Sequence, residues 1–193
     1  MEYTLEERYQ LIKEKVIVSK LKNPIAIAQD VMRNDFVSMH GPEHHFLDGA
    51  SFLVAYKNCG GDIDISEALK QLSTRSVKMP GGICGYWGIC GSLASVGASL
   101  SIIHGTHALS NDEFYKDQME YTSLVLKKMS EIGGPRCCKR NAFISLITAV
   151  DFVNKKYKIN MEKDTVICNF HKSNKDCIKD RCPFYKASQL SNN

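Results

Sequence analysis

The chain has 193 residues, 44% of them hydrophobic, and a net charge of +4. That length and apolar fraction suit one folded domain with a real core. The mild basicity falls short of the clustered charge of a dedicated nucleic-acid binder, so nucleic acid is not an expected partner. The opening residues, MEYTLEERYQ, carry no apolar run, and no stretch is apolar for long enough to span a bilayer, so a cytoplasmic chain without membrane attachment is expected. Thiols stay reduced there, and eight cysteines then read as metal ligands or redox groups rather than as a disulfide framework.

The predicted elements are mainly helical. Thr4 and Glu7 form a capping box before a helix over residues 5–20. Asn23 and Pro24 supply an N-cap and first helical residue for a helix to about Arg33. Gly41-Pro42 opens a third, to about Lys57, which Cys59-Gly60-Gly61 ends. Asp64 caps a short fourth helix. Residues 79–91, MPGGICGYWGICG, hold five glycines, too many for a regular helix, and read as a loop whose backbone passes close to something. Residues 92–104 then form a helix of small residues. Ser110 and Glu113 predict a capping box for a helix to about Ile132. Gly133-Gly134-Pro135 breaks the chain before a helix from about Cys137, whose apolar positions Phe143, Leu146, Ile147 and Val150 share one face. From 165 to 185 the chain is too polar to fold by burial alone. The expectation is one mainly α domain, with a glycine-rich central loop and a loop-like cysteine-rich tail folded back on it.

That tail carries the strongest chemical signal. Cys168, Cys177 and Cys182 fall within fifteen residues, where bound metal would supply the missing stabilisation. Cys182-Pro183 resembles the step that closes many iron–sulfur binding runs. Cys138 is the expected fourth ligand, with Cys137, Cys84 and Cys90 as alternatives. Cys84 and Cys90 lie among glycines whose N–H groups can hydrogen-bond sulfur or an anion. Cys137 and Cys138 start a helix beside three cations, which favours thiolate. Adjacent cysteines do not easily share one metal, so one of them is expected to face elsewhere. These four are candidate cofactor-binding residues.

His40, Glu43 and His44 match the H-x-x-E-H spacing of a zinc protease. Gly41-Pro42 breaks the helix that chemistry needs, so the three are kept as proton-transfer candidates in a shared site. The cofactor expected is an iron–sulfur cluster, of the four-iron type, with zinc as the alternative. A metal-free thiol redox or sulfur-carrier protein is a third reading. Whether the chain is an enzyme stays open, as does a homo-oligomeric state.

The set MHGPEHHF, GICGYWGICG, GPRCCKR and C-x8-C-x4-CPF resembles an uncharacterised cysteine-rich domain family. Its members occur alone or attached to SAM-dependent methyltransferase domains, mostly in anaerobes and methanogens. The resemblance covers residues 35–185 and implies a helical N-terminal addition over 1–34 and a polar tail over 186–193. It implies no catalytic residue. It does fit an anaerobic setting. A SAM-dependent methyltransferase or a small-molecule substrate is the expected partner, and sulfur or redox chemistry is the expectation that the cysteines carry.

Overall fold

The computed structural model describes residues 3–186, and the polar end read from the sequence lies outside them except for Lys186. Among the described residues there are eight α-helices, one 3-10 turn and no strand: α1 (Leu5–Ile17), α2 (Pro24–Met32), α3 (His44–Asn58), α4 (Ile65–Ser76), α5 (Ile83–Tyr86), α6 (Gly91–His104), α7 (Glu113–Ile132), α8 (Cys138–Tyr157) and the turn Lys179–Arg181. None of these helices is long and apolar enough to cross a membrane.

α3 is the axis of the fold. Every residue from His44 to Tyr56 is buried, because α1, α2, α4, α6 and α8 surround it. Its closest partner is α6. The Gly49 N–H donates to Ser95 Oγ at 2.9 Å, and Ser99 Oγ donates to the Gly49 carbonyl at 3.3 Å. A Cβ on Gly49 would stand 2.6 Å from both serine oxygens. The small residues of α6 thus let two backbones meet, with hydroxyls satisfying the polar groups at the contact. α1 and α2 add Ile12, Val16, Ile25 and Ile27 to the same core.

Four helices begin on a side-chain oxygen. Thr4 caps α1 in a full capping box, Asn23 caps α2, Asp64 caps α4 and Asp112 caps α7. The predicted Ser110–Glu113 box does not form. Asp112 Oδ1 takes the Tyr115 N–H, while Ser110 Oγ accepts from the His107 N–H instead. A nearer acceptor at the first turn displaces the more distant serine. The glycine segment is also less irregular than expected, since one helical turn, α5, forms within it behind Gly82 at φ +86°. Gly41-Pro42 forms a turn just before α3 rather than its first residues.

From residue 158 the chain leaves α8 and runs back over the bundle. Asn154 ties Met161 through both backbone groups, and Glu162 N–H donates to the Lys22 carbonyl. Met161, Val166, Cys182 and Phe184 are its buried apolar side chains, and Asn174 is buried with them. Phe184 meets Phe143 of α8 edge to face at 5.3 Å.

Candidate functional site

The tail closes on itself where the Cys168 N–H donates to the Phe184 carbonyl at 2.8 Å. Successive turns at residues 170–173, 174–177 and 179–182 fold the enclosed segment. Those turns aim Cys168, Cys177 and Cys182 at one small cavity, about 20 Å³ in volume. The fourth thiol there is Cys137, at the N-cap of α8.

Each of the four sulfurs accepts a backbone N–H. Arg140 donates to Cys137, Phe170 to Cys168 and Lys179 to Cys177, each at 3.4 Å. Phe184 donates to Cys182. Asn174 Nδ2 adds a second donor to Cys137 at 3.6 Å. Amide donors lower the cost of a negative sulfur. Against them, burial pushes the Cys168 and Cys182 thiols up, and neighbouring sulfurs push them further. Four thiolates alone would repel one another, and a cation among them would offset both burial and repulsion. The donor set therefore fits a thiolate-bound metal or cluster. No three His, Cys, Asp or Glu side chains among the described residues are gathered tightly enough to hold a single ion.

Cys138 does not join this group. Its side chain lines a second cavity of about 350 Å³, together with Cys84 and Cys90. The eight cysteines thus divide into a set of four, a set of three, and Cys59, which donates to the Asn160 carbonyl away from both. Cys90 accepts from Asn141 Nδ2 at 3.3 Å and from the Ser92 N–H, and Cys138 accepts from the Gly41 N–H. Burial nevertheless pushes the Cys138 thiol up to about 12.

His40 and His44 line the second cavity and Glu43 does not. Glu43 is 1% exposed. Its Oε1 accepts the Ser38 N–H at 2.7 Å and lies 3.8 Å from Arg8 Nη1, which also donates to the Phe36 carbonyl. It therefore braces the approach to α3. His44 is as deeply buried, with Nε2 3.3 Å from Lys139 Nζ and Nδ1 3.7 Å from Asp48 Oδ1. Lys139 Nζ donates to the Ser38 carbonyl at 2.9 Å and lies over the Phe170 ring. Burial brings this ammonium down to about 8, against the pull of Asp48 and Glu43.

His40 links the two cavities. Its Nε2 meets Asn174 Oδ1 at 3.2 Å, and Asn174 in turn donates to Cys137. Its Nδ1 is buried without a partner. Burial lowers its pKa, and that of His45, whose Nδ1 meets the Met79 carbonyl at 3.0 Å. Sequence patterns alone do not point to Asn174, Asn141 or Lys139. Asp48 does leave a signal, four residues beyond His44 and hence on the same helix face.

The arrangement defines an all-helical domain with two thiol-lined cavities joined at the start of one helix. The profile of a family of unknown function, DUF5714, matches residues 12–185, and the chain belongs to that family. No curated protein and no solved structure matches it.

Proposed function

We propose that the chain is a metal–thiolate protein in which Cys137, Cys168, Cys177 and Cys182 hold an iron–sulfur cluster. The observation that carries this is the convergence of four cysteines on one cavity, every sulfur accepting a backbone N–H. A lone buried thiol has little use for such donors, whereas a ligated thiolate is tuned by them. Four sulfurs set around a cavity, rather than gathered at one point, suit a cluster, which spreads its thiolates more widely than a single ion does. When bound, the cluster would supply a one-electron couple, for which four thiolates are a full complement. The residues of this chain would bury it, donate to its sulfurs and bring the charge of Arg140 near Cys182.

The small volume favours a second reading, a structural zinc ion. The four sulfurs would then close in around one point. On that reading the chain is an accessory module, and the resemblance described above makes a SAM-dependent methyltransferase its proposed partner. An anaerobic setting is proposed on the same resemblance, and a cytoplasmic one on the eight cysteines, all of them free thiols.

Anaerobic purification with quantification of iron, sulfide and zinc separates the readings. Iron and sulfide in equal amounts, with visible charge-transfer absorption, support the cluster. Zinc in a colourless protein supports the second reading. A protein without any metal, folded and unaffected by chelators, sinks both.

A further inference from the structure

The second cavity has the chemistry of a ligand site, and nothing in the metal reading uses it. At about 350 Å³ it falls in the range of small-molecule pockets. No Asp or Glu lines it. Arg136 stands at its wall, exposed, and forms no ion pair or hydrogen bond among the described residues. Three long helices begin at this cavity, with His44 and His45 of α3, Gly91 and Ser92 of α6, and Cys138 and Asn141 of α8 on its walls. Their starts differ from those elsewhere. α1, α2, α4 and α7 each have an oxygen cap, whereas α3 and α6 have no side-chain cap, and α8 has only the Cys137 sulfur. The N–H groups of His44, His45 and Phe46 in α3 already donate to the Gly41, Pro42 and Glu43 carbonyls, so it is α6 and α8 that turn their positive ends to a space whose walls hold no carboxylate.

His40 is fixed in the wall, its Nε2 occupied by Asn174. A small oxyanion answers the charge that the walls present. Gly91 fits the same account, because the His45 ring fills the place where its Cβ would be. The close approach brings the α6 backbone to the cavity wall.

We infer that this cavity binds a small oxyanion, gripped by Arg136 and held at the positive ends of α6 and α8. The thiol of Cys84, half-buried on the same wall, would lie beside it. The site does not depend on the metal centre.

Two reporters read occupancy directly. Trp87, the only tryptophan, is the residue after Tyr86 of the cavity wall, and Cys84 is a half-buried free thiol on that wall. Glycolate, inorganic phosphate and neutral ethylene glycol would be titrated against the purified protein. Trp87 fluorescence and the iodoacetamide rate at Cys84 would be followed, with metal content measured on the same samples. Saturable protection by glycolate or phosphate, absent with ethylene glycol, is the expected result. The stronger of the two anions then assigns the ligand as a carboxylate or a phosphate. Arg136→Gln should weaken binding roughly tenfold and Arg136→Glu further, as loss of a charge-assisted contact requires. The exposed Lys127→Gln, on α7, should change nothing. Protection seen in protein without metal would sustain this site even as the metal reading failed. Absence of protection by either anion, or unchanged binding in Arg136→Glu, would overturn it.

Discussion

Cys137 and Cys138 are adjacent in the chain, yet their side chains enter different cavities. The start of α8 explains the divergence. Cys137 is the N-cap, in extended conformation at φ −144°, and Cys138 is the first helical residue. The cap turns one side chain out toward the tail while the helix directs the next toward α3 and α6. On the proposed function, Cys137→Ser and Cys138→Ser should therefore behave differently. Cys137→Ser is expected to lose most of the bound metal. Cys138→Ser should keep it at the wild-type level. Metal analysis of the two variants, purified side by side, checks this, and equal losses would count against the assignment.

Metal removal should act locally, because the tail contributes few side chains to the core. Met161, Val166, Cys182 and Phe184 are its buried apolar residues, whereas α3 is enclosed on all sides. Stripping the protein with a strong chelator is predicted to raise amide exchange across residues 165–185 well before α3 or α8. Exchange that rises uniformly, or not at all, would show that the tail does not lean on metal.

Glu43 separates stability from chemistry. Its carboxylate accepts the Ser38 N–H and stands near Arg8, sealed from both cavities. Glu43→Ala leaves a buried N–H and a half-paired guanidinium, a loss of roughly 3 kcal/mol by the usual cost of such breaks. Glu43→Gln keeps an acceptor for Ser38 and should lose much less. Denaturant midpoints measure both, and ligand binding in the second cavity should be unchanged in Glu43→Gln.

How far the sequence reaches follows from what each signal depends on. Helices announced by local chemistry, such as those at Asn23-Pro24 or Asp64, are legible because a cap and its helix lie within four residues. The mainly α fold follows from these. The tail trio is legible because its cysteines cluster in the chain. The fourth thiol is not, since Cys137 and Cys138 differ only in backbone conformation at a helix start, and spacing does not encode it. Glu43 looks like a proton-transfer group because its neighbours are histidines, but its partner Arg8 is 35 residues away. Asn174 approaches His40 from 134 residues away, and no local pattern announces that contact. DUF5714 membership begins at residue 12, inside α1, in keeping with a core that α1 and α2 help to build.

The α3–α6 contact gives a packing prediction. At Gly49 any side chain meets Ser95 Oγ and Ser99 Oγ at 2.6 Å and the Ser95 carbonyl at 2.8 Å. The serines can rotate, but the backbone oxygen cannot, so the helices must part. Gly49→Ala is expected to destabilise the fold by about 1–3 kcal/mol, as overpacking does. Gly60→Ala has open space around the new methyl group but a φ of +90°, so its cost comes from the backbone alone and should be smaller. Thermal unfolding of the two variants ranks them.

Acid should weaken the protein in a window set partly by His104. This ring stacks on Phe114 at 3.9 Å, with Tyr157 at 4.8 Å, and its Nε2 is buried without a partner. Burial lowers its pKa below the ordinary 6.5, although Asp117, Asp112 and Glu113 pull the other way. As pH falls through 6.5 the unfolded chain takes up a proton that the folded chain resists. The stability is thus complete above that pH and drains away below it, until the folded ring titrates too. His40 and His45 are lowered by burial as well and add to the same slope. His104→Phe keeps the stack and removes the titration. It should flatten the fall in melting temperature between about pH 7 and pH 5 without abolishing it, because the other two histidines remain. A variant as acid-sensitive as the parent would show that His104 is not protonated differently in the folded and unfolded chains.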